Sequence, residues 1–386
     1  MIDERIRVCH LIPSFWTGHG PSSGILAQVR GHESRDFAFS VWSLYPPPPA
    51  LDPRNLLREA GLAYRVFPMG RSFLDVRVLW PLVRRLRAEK PDILHCHLVR
   101  ANLYGRIAAR LAGVRGVVCS IRGIDDYVTS PGLVARAVRL VERLTACWAA
   151  KYVAVSETAR QAMIKHLQIS PEKIVTILNA VDLAPFRTRG DNRASVRAAW
   201  GLPPAAVVVG SVGRLARLKN YANLIRWVGE LTASFPQAHL VLVGDGEERP
   251  ALEGLIGELH LGERVRLLGH REDIPEMLGA MDIFAFPSLS EGLPRAVMEA
   301  MAAGLPCVVM DVGGNAEAVM DGRTGYVVPL GDAPGFKAAL TRLLKDGASR
   351  KKLGAAGKNR AFTLFNPKRL AAEYEELYRS LLNRRP

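Results

Sequence analysis

The sequence predicts an α/β protein built from two doubly wound, Rossmann-like parallel sheets. Short apolar runs alternate with amphipathic stretches along all 386 residues, the pattern left by strands joined through crossover helices. These runs also form two consecutive series, separated by a polar stretch around residue 185, and each series is enough for one sheet. A length of 386 suits two or three domains with sizeable cores.

The first series places strands at 7–12, 39–44, 64–67, 93–95, 117–121, 152–155 and 175–177. The opening residues carry charges of both signs and run straight into a strand, so no secretory signal is read there. Gly18-His19-Gly20-Pro21-Ser22-Ser23-Gly24 follows the first strand. It misses the Gly-x-Gly-x-x-Gly dinucleotide fingerprint by one residue and includes a foreign Pro21, which disfavours a Rossmann dehydrogenase. Tyr45-Pro46-Pro47-Pro48-Pro49 reads as a rigid surface spacer. Between residues 71 and 90, Phe73, Leu74, Val76, Leu79, Leu82, Val83 and Leu86 recur near helical spacing among Arg71, Arg77, Arg84, Arg85 and Arg87. The apolar side should pack on a sheet, with the arginines available to lipid headgroups.

The second series places strands at 207–212, 239–243, 265–268, 283–286, 306–309 and 325–327. The domains are therefore 1–184 and 185–365. Residues 366–386 form a last helix, with Leu370, Tyr374, Leu377, Tyr378 and Leu381 on one side.

Bulk composition narrows the function. Hydrophobic residues make up 48% and charged residues 23%, as in an ordinary soluble protein, and no stretch of about 18 residues lacks charge. The five cysteines are scattered, matching reduced thiols of a cytoplasmic protein and neither a zinc site nor a disulfide framework. The net charge of +15 is unusual. Residues 1–184 hold 25 Lys and Arg against 15 Asp and Glu, so most of the surplus lies there. A basic chain suits nucleic acid, an anionic membrane or phosphorylated substrates. No nucleic-acid motif is present, which leaves the last two.

The most informative segment is Phe286-Pro287-Ser288-Leu289-Ser290-Glu291-Gly292-Leu293-Pro294-Arg295-Ala296-Val297-Met298-Glu299. Pro294 suits a first helical turn, so a helix should start near Leu293. Eight residues at a helical rise span about 12 Å, which puts Glu299 some two turns inward of Glu291. Upstream, Gly213-Arg214-Leu215-Ala216-Arg217-Leu218-Lys219 follows a strand and holds two cations five residues apart. Downstream stand Val312-Gly313-Gly314-Asn315-Ala316-Glu317 and Asp321-Gly322-Arg323-Thr324-Gly325-Tyr326.

Together these motifs resemble the retaining glycosyltransferases of family 4, and the likeness is more specific in the second half. It implies the GT-B fold, two Rossmann-like domains facing a central cleft with the C-terminal helix crossing back to the first. Asn179-Ala180-Val181-Asp182 resembles the family's interdomain Asn-Gly-Val-Asp, with Ala180 in place of Gly. The implied activity is transfer of a hexose-type sugar from a nucleoside diphosphate to a sugar or lipid-linked acceptor. Arg214 and Lys219 take the diphosphate, Glu291 the sugar hydroxyls and Glu299 the ribose, with Gly292 and Leu293 as backbone donors near the sugar. Arg271 lies in the loop that holds the base, Gly18 in the Gly-rich loop near the donor phosphate, and His97 at the end of a first-domain strand. No Asp-x-Asp occurs, in keeping with fixed cations in place of a metal, and no cofactor is expected.

One departure stands out. Where many relatives carry Thr-x-His-Gly, this chain has Ser120-Ile121-Arg122-Gly123, and arginine cannot accept a proton near neutral pH. Either Arg122 binds a phosphate while Asp125 or Asp126 orients the attacking hydroxyl, or these loop charges pair with one another. A donor-binding scaffold with little turnover, or a sugar-nucleotide epimerase on the same fold, are the alternatives.

Overall fold

The computed structural model describes residues 5–16, 20–70, 75–121, 132–187 and 192–382. The chain divides into two compact units, Met1–Ala180 together with Pro367–Pro386, and Val181–Asn366. In the first unit the strands are β1 (Ile6–Ile12), β2 (Phe37–Ser43), β3 (Ala63–Val66), β4 (Ile93–His97), β5 (Gly116–Ile121), β6 (Lys151–Ala154) and β7 (Ile174–Thr176). They form one parallel sheet in the order β3-β2-β1-β4-β5-β6-β7. The second unit has β8 (Val207–Val212), β9 (Ala238–Val243), β10 (Val265–Leu267), β11 (Ile283–Phe286), β12 (Cys307–Met310) and β13 (Gly325–Val328). Its sheet is also parallel, in the order β10-β9-β8-β11-β12-β13.

All thirteen strands fall within two residues of the runs read from sequence. The central ones of the second unit, β9, β11 and β12, are buried along their whole length. A parallel sheet covered on both faces selects such continuous apolar runs. In each sheet the first strand lies inside, and the chain builds outward from it in both directions. The order therefore reverses beside β1 and again beside β8, and crossover connections leave those points on opposite faces.

The last helix, Pro367–Leu382, belongs to the first unit, where Leu370, Tyr374, Leu377 and Tyr378 join the core with Val8, Ile93 and Val118. The Tyr378 hydroxyl accepts from Gln28 Nε2 at 2.9 Å and lies 2.7 Å from His95 Nδ1.

One helix departs from its sequence reading, and a second turns an unexpected face to the core. Over 71–90 the described helix runs only Leu79–Glu89, after a short turn Val76–Val78. Asp75 sets this start by accepting from the backbone N–H groups of Gly70 and Arg77. Leu82, Val83 and Leu86 are buried as their periodicity demands, but Val76, in the turn before the helix, is 65% exposed and Trp80 70%. The helix Leu133–Thr145 turns Glu142 and Thr145 inward instead of its leucines. Arg106, fully buried on the neighbouring helix Leu98–Ala112, pairs with the Glu142 carboxylate at 2.8 Å. It also donates to Thr145 Oγ1 at 2.8 Å and to the Tyr152 hydroxyl at 2.9 Å. Burial raises the Glu142 pKa and the guanidinium pulls it back down.

Removing one partner of such a pair leaves a buried charge uncompensated. Arg106→Met should cost about 3–5 kcal/mol, read as a lower urea midpoint, and Arg106→Met/Glu142→Leu should recover much of that loss.

Candidate active site

The loops after β8 and β11 leave neighbouring strands at the point where the second sheet's order reverses. Open α/β sheets bind ligands at such points. The first loop carries Arg214 and ends in the turn Arg217–Lys219, and the second carries Ser288 and Glu291.

Backbone and side-chain bonds knit the two loops together. The Leu218 carbonyl accepts from Leu289 N at 2.8 Å and from the buried Ser288 hydroxyl at 3.0 Å. Asn220 adopts a left-handed backbone (φ 58°) and donates from Nδ2 to the Pro287 carbonyl at 3.1 Å. Held in this way, Lys219 Nζ lies 2.5 Å from Glu291 Oε1 and 4.8 Å above the Phe286 ring. Ser288 Oγ also lies 2.5 Å from the same Glu291 oxygen, so its one proton is shared between that carboxylate and the Leu218 carbonyl. The Lys219 and Glu291 side chains keep 23% and 11% exposure, so a ligand can reach the pair. Arg214 is exposed on the first loop.

Two glycines set the backbone of this region. At Gly244, after β9, a Cβ would come within 2.0 Å of the Gly213 carbonyl oxygen. Gly313 has φ +53°, and a Cβ there would lie 1.9 Å from the Glu291 carbonyl oxygen. Beside it, Gly314 N donates to the Gly292 carbonyl at 2.5 Å. The Val312–Asn315 segment therefore fixes the backbone on which Glu291 stands.

The helix after Glu291 starts later than its sequence implies. It runs Arg295–Ala302, with Pro294 as N-cap in an extended conformation (ψ 125°). Residues 291–294 are not helical, so Glu299 lies one turn into the helix and not two. Its carboxylate is buried and paired with Arg295 Nε at 2.7 Å. Burial raises its pKa, Arg295 lowers it, and Asp182 adds a smaller upward push. Leu293 is buried, and Gly292 is half-buried.

The remaining candidates stand on other segments. Arg271 follows β10, the edge strand two places from β8, and its guanidinium closes on Asp273 at 2.6 and 2.8 Å. In the first unit His97 ends β4 beside the reversal at β1, fully buried, with Nε2 3.0 Å from His10 Nδ1. His95 stands between the Ser120 and Tyr378 hydroxyls, 2.7 Å from each. Ligating atoms of His10, His95 and His97 all lie within 4.8 Å of one another. Because hydroxyls already face both nitrogens of His95, the cluster reads as a hydrogen-bonded network. Gly18, Arg122, Asp125 and Asp126 lie outside the described residues. Ser288, Asn220 and Gly313 were not singled out from sequence, since their contacts join segments about 20 to 70 residues apart.

Both halves of the chain match family profiles. Residues 19–185 match Glycosyltransferase Family 4, and residues 192–360 match Glycosyl transferases group 1. The UDP-Gal:alpha-D-GlcNAc-diphosphoundecaprenol alpha-1,3-galactosyltransferase of Escherichia coli is 36% identical over 279 residues, 70% of this chain and 71% of that protein. The lipopolysaccharide core biosynthesis glycosyltransferase LpsE of Rhizobium meliloti (strain 1021) is 34% identical over 322 residues, 79% and 81% of the two chains. Among solved structures, Anabaena Alr3699/HepE in complex with UDP superposes with a TM-score of 0.81 at 22% identity, over 97% of this chain and 100% of that one. Sucrose-phosphate synthase from Thermosynechococcus elongatus gives the same TM-score at 21% identity, over 98% and 100%. These two share the fold.

Gly313→Ala should displace Glu291 and with it the Lys219 contact. The expected result is a stability loss of about 1–3 kcal/mol together with weakened binding of nucleoside diphosphate. Gly322→Ala is the control. Gly322 also has positive φ (+65°), but nothing lies within 4 Å of its added Cβ, so stability alone should fall, by about 1 kcal/mol.

Proposed function

Because the chain belongs to glycosyltransferase family 4 and has the GT-B fold, we propose that it is a retaining, metal-independent hexosyltransferase. In this reading it uses a UDP-sugar donor and a lipid-linked sugar acceptor of surface-polysaccharide assembly. The observation that carries the reading is the partly exposed Lys219–Glu291 pair where β8 and β11 adjoin, one turn before the helix Arg295–Ala302. The donor and acceptor classes are supported by the Escherichia coli relative, whose name specifies UDP-Gal and a diphosphoundecaprenol-linked sugar.

The chemistry follows from charge. As the glycosidic bond breaks, the departing phosphate oxygen gains negative charge, so cations aimed there stabilise the transition state more than the ground state. Arg214 and Lys219 supply those cations, assisted by the positive end of the helix that begins at Arg295. A diphosphate that takes the Lys219 ammonium releases Glu291 to accept from sugar hydroxyls. Glu299 accepts from the ribose. The acceptor oxygen bonds to the anomeric carbon on the face the diphosphate leaves, and its proton passes to the departing phosphate oxygen. No protein nucleophile is needed. Among the described residues no helix is long and apolar enough to cross a membrane, and contact with a lipid-linked acceptor would be peripheral.

Lys219→Ala should weaken UDP binding about ten- to a hundredfold while sparing uridine; an equal loss for both would indicate misfolding. Glu291→Gln should slow turnover about a hundredfold and leave UDP affinity nearly unchanged, as calorimetry and a nucleotide-release assay would read. Excess EDTA should leave turnover intact, and abolition reversed by added metal would refute the metal-independent reading.

A further inference from the structure

The helix Leu133–Thr145 carries its apolar residues outward. Leu133 is 81% exposed, Leu140 55% and Leu144 66%, with Trp148 at 38% in the turn that follows. Positions 133, 137, 140 and 144 line one helical face over about 18 Å, and Ala137 is exposed among them. The opposite face, toward the core, is Ala135, Glu142 and Thr145. The orientation is locked. Turning the leucines inward would strip the fully buried Arg106 of its carboxylate, and uncompensated buried charge is strongly destabilising.

The borders of the stripe are basic. Arg136 and Arg143, seven residues apart, flank it on one side, both exposed, and Arg143 is anchored to the His166 carbonyl at 3.0 Å. An apolar stripe edged by arginines is the composition of a helix lying in the interface of an anionic bilayer. The geometry points to this face as the surface that docks the protein on anionic phospholipid, with Leu140, Leu144 and Trp148 entering the headgroup boundary and Arg136 and Arg143 meeting phosphates. The assignment rests on the lipid-linked acceptor reading above.

The test is cosedimentation of the full chain with vesicles of phosphatidylglycerol and phosphatidylcholine in equal parts, and with phosphatidylcholine alone. Wild type should partition onto the anionic vesicles. Leu140→Glu/Leu144→Glu should lower that partition about tenfold or more, and Arg136→Gln/Arg143→Gln should lower it about fivefold per arginine, with high salt acting in the same direction. Both variants should keep wild-type melting and UDP affinity, which excludes misfolding as the cause. Undiminished partition of the leucine variant would overturn the proposal, as would a wild-type dimer in sedimentation velocity that the leucine variant converts to monomer. Absence of UDP binding by wild type, with stripe-dependent partition intact, would remove the transferase reading and leave the docking surface standing.

Discussion

The second unit depends on one topological constraint: its first strand is also its central one. Since β8 is hydrogen-bonded to β9 on one side and β11 on the other, the two loops leaving the carboxyl ends of β8 and β11 have no helix between them. Backbone from segments some seventy residues apart therefore meets directly, and the Leu218 and Pro287 carbonyls are satisfied across the gap. A cation from one loop and a carboxylate from the other come together because the sheet leaves them no other neighbour. The first unit repeats the arrangement at β1 and β4, where the side chains that meet are histidines and hydroxyls.

Two ion pairs illustrate how burial separates a sealed charge from one that a ligand can reach. Arg106 and Glu142 are 0% and 3% exposed, and their removal from water is compensated by further bonds to Thr145 and Tyr152. Such a pair is fixed for the life of the fold and specifies orientation more than stability. Lys219 and Glu291 remain partly wet, so each can exchange its partner for a ligand group at modest cost. Residues of the same chemical types thus stand in opposite environments.

Most of the fold was legible in the sequence because strands of covered parallel sheets announce themselves as apolar runs, and each of the thirteen did so. The orientation of Leu133–Thr145 was not legible. Periodicity reveals which side of a helix is apolar, but the side that faces the core was decided by Arg106, on another helix. The eight-residue spacing of Glu291 and Glu299 misled for a local reason, since Pro294 has a helical φ with an extended ψ and so delays the helix. Motifs of adjacent residues pointed to Arg214, Lys219 and Glu291, and the structure brings the last two together. Gly313 stood in a quoted motif, but its closeness to the Glu291 carbonyl joins segments that no local pattern links.

The return of the final helix to the first unit has a bearing on how the protein is made. Residues 181–366 form a complete globule emitted in the middle of the chain, with Val181 N and the Phe365 carbonyl 3.2 Å apart where it begins and ends. During synthesis that globule can close while its predecessor still waits for Tyr374 and Tyr378 to leave the ribosome. The earlier-made unit is thus the later to mature, and until then Val8, Ile93 and Val118 lack their cover, a surface that chaperones would have to shield.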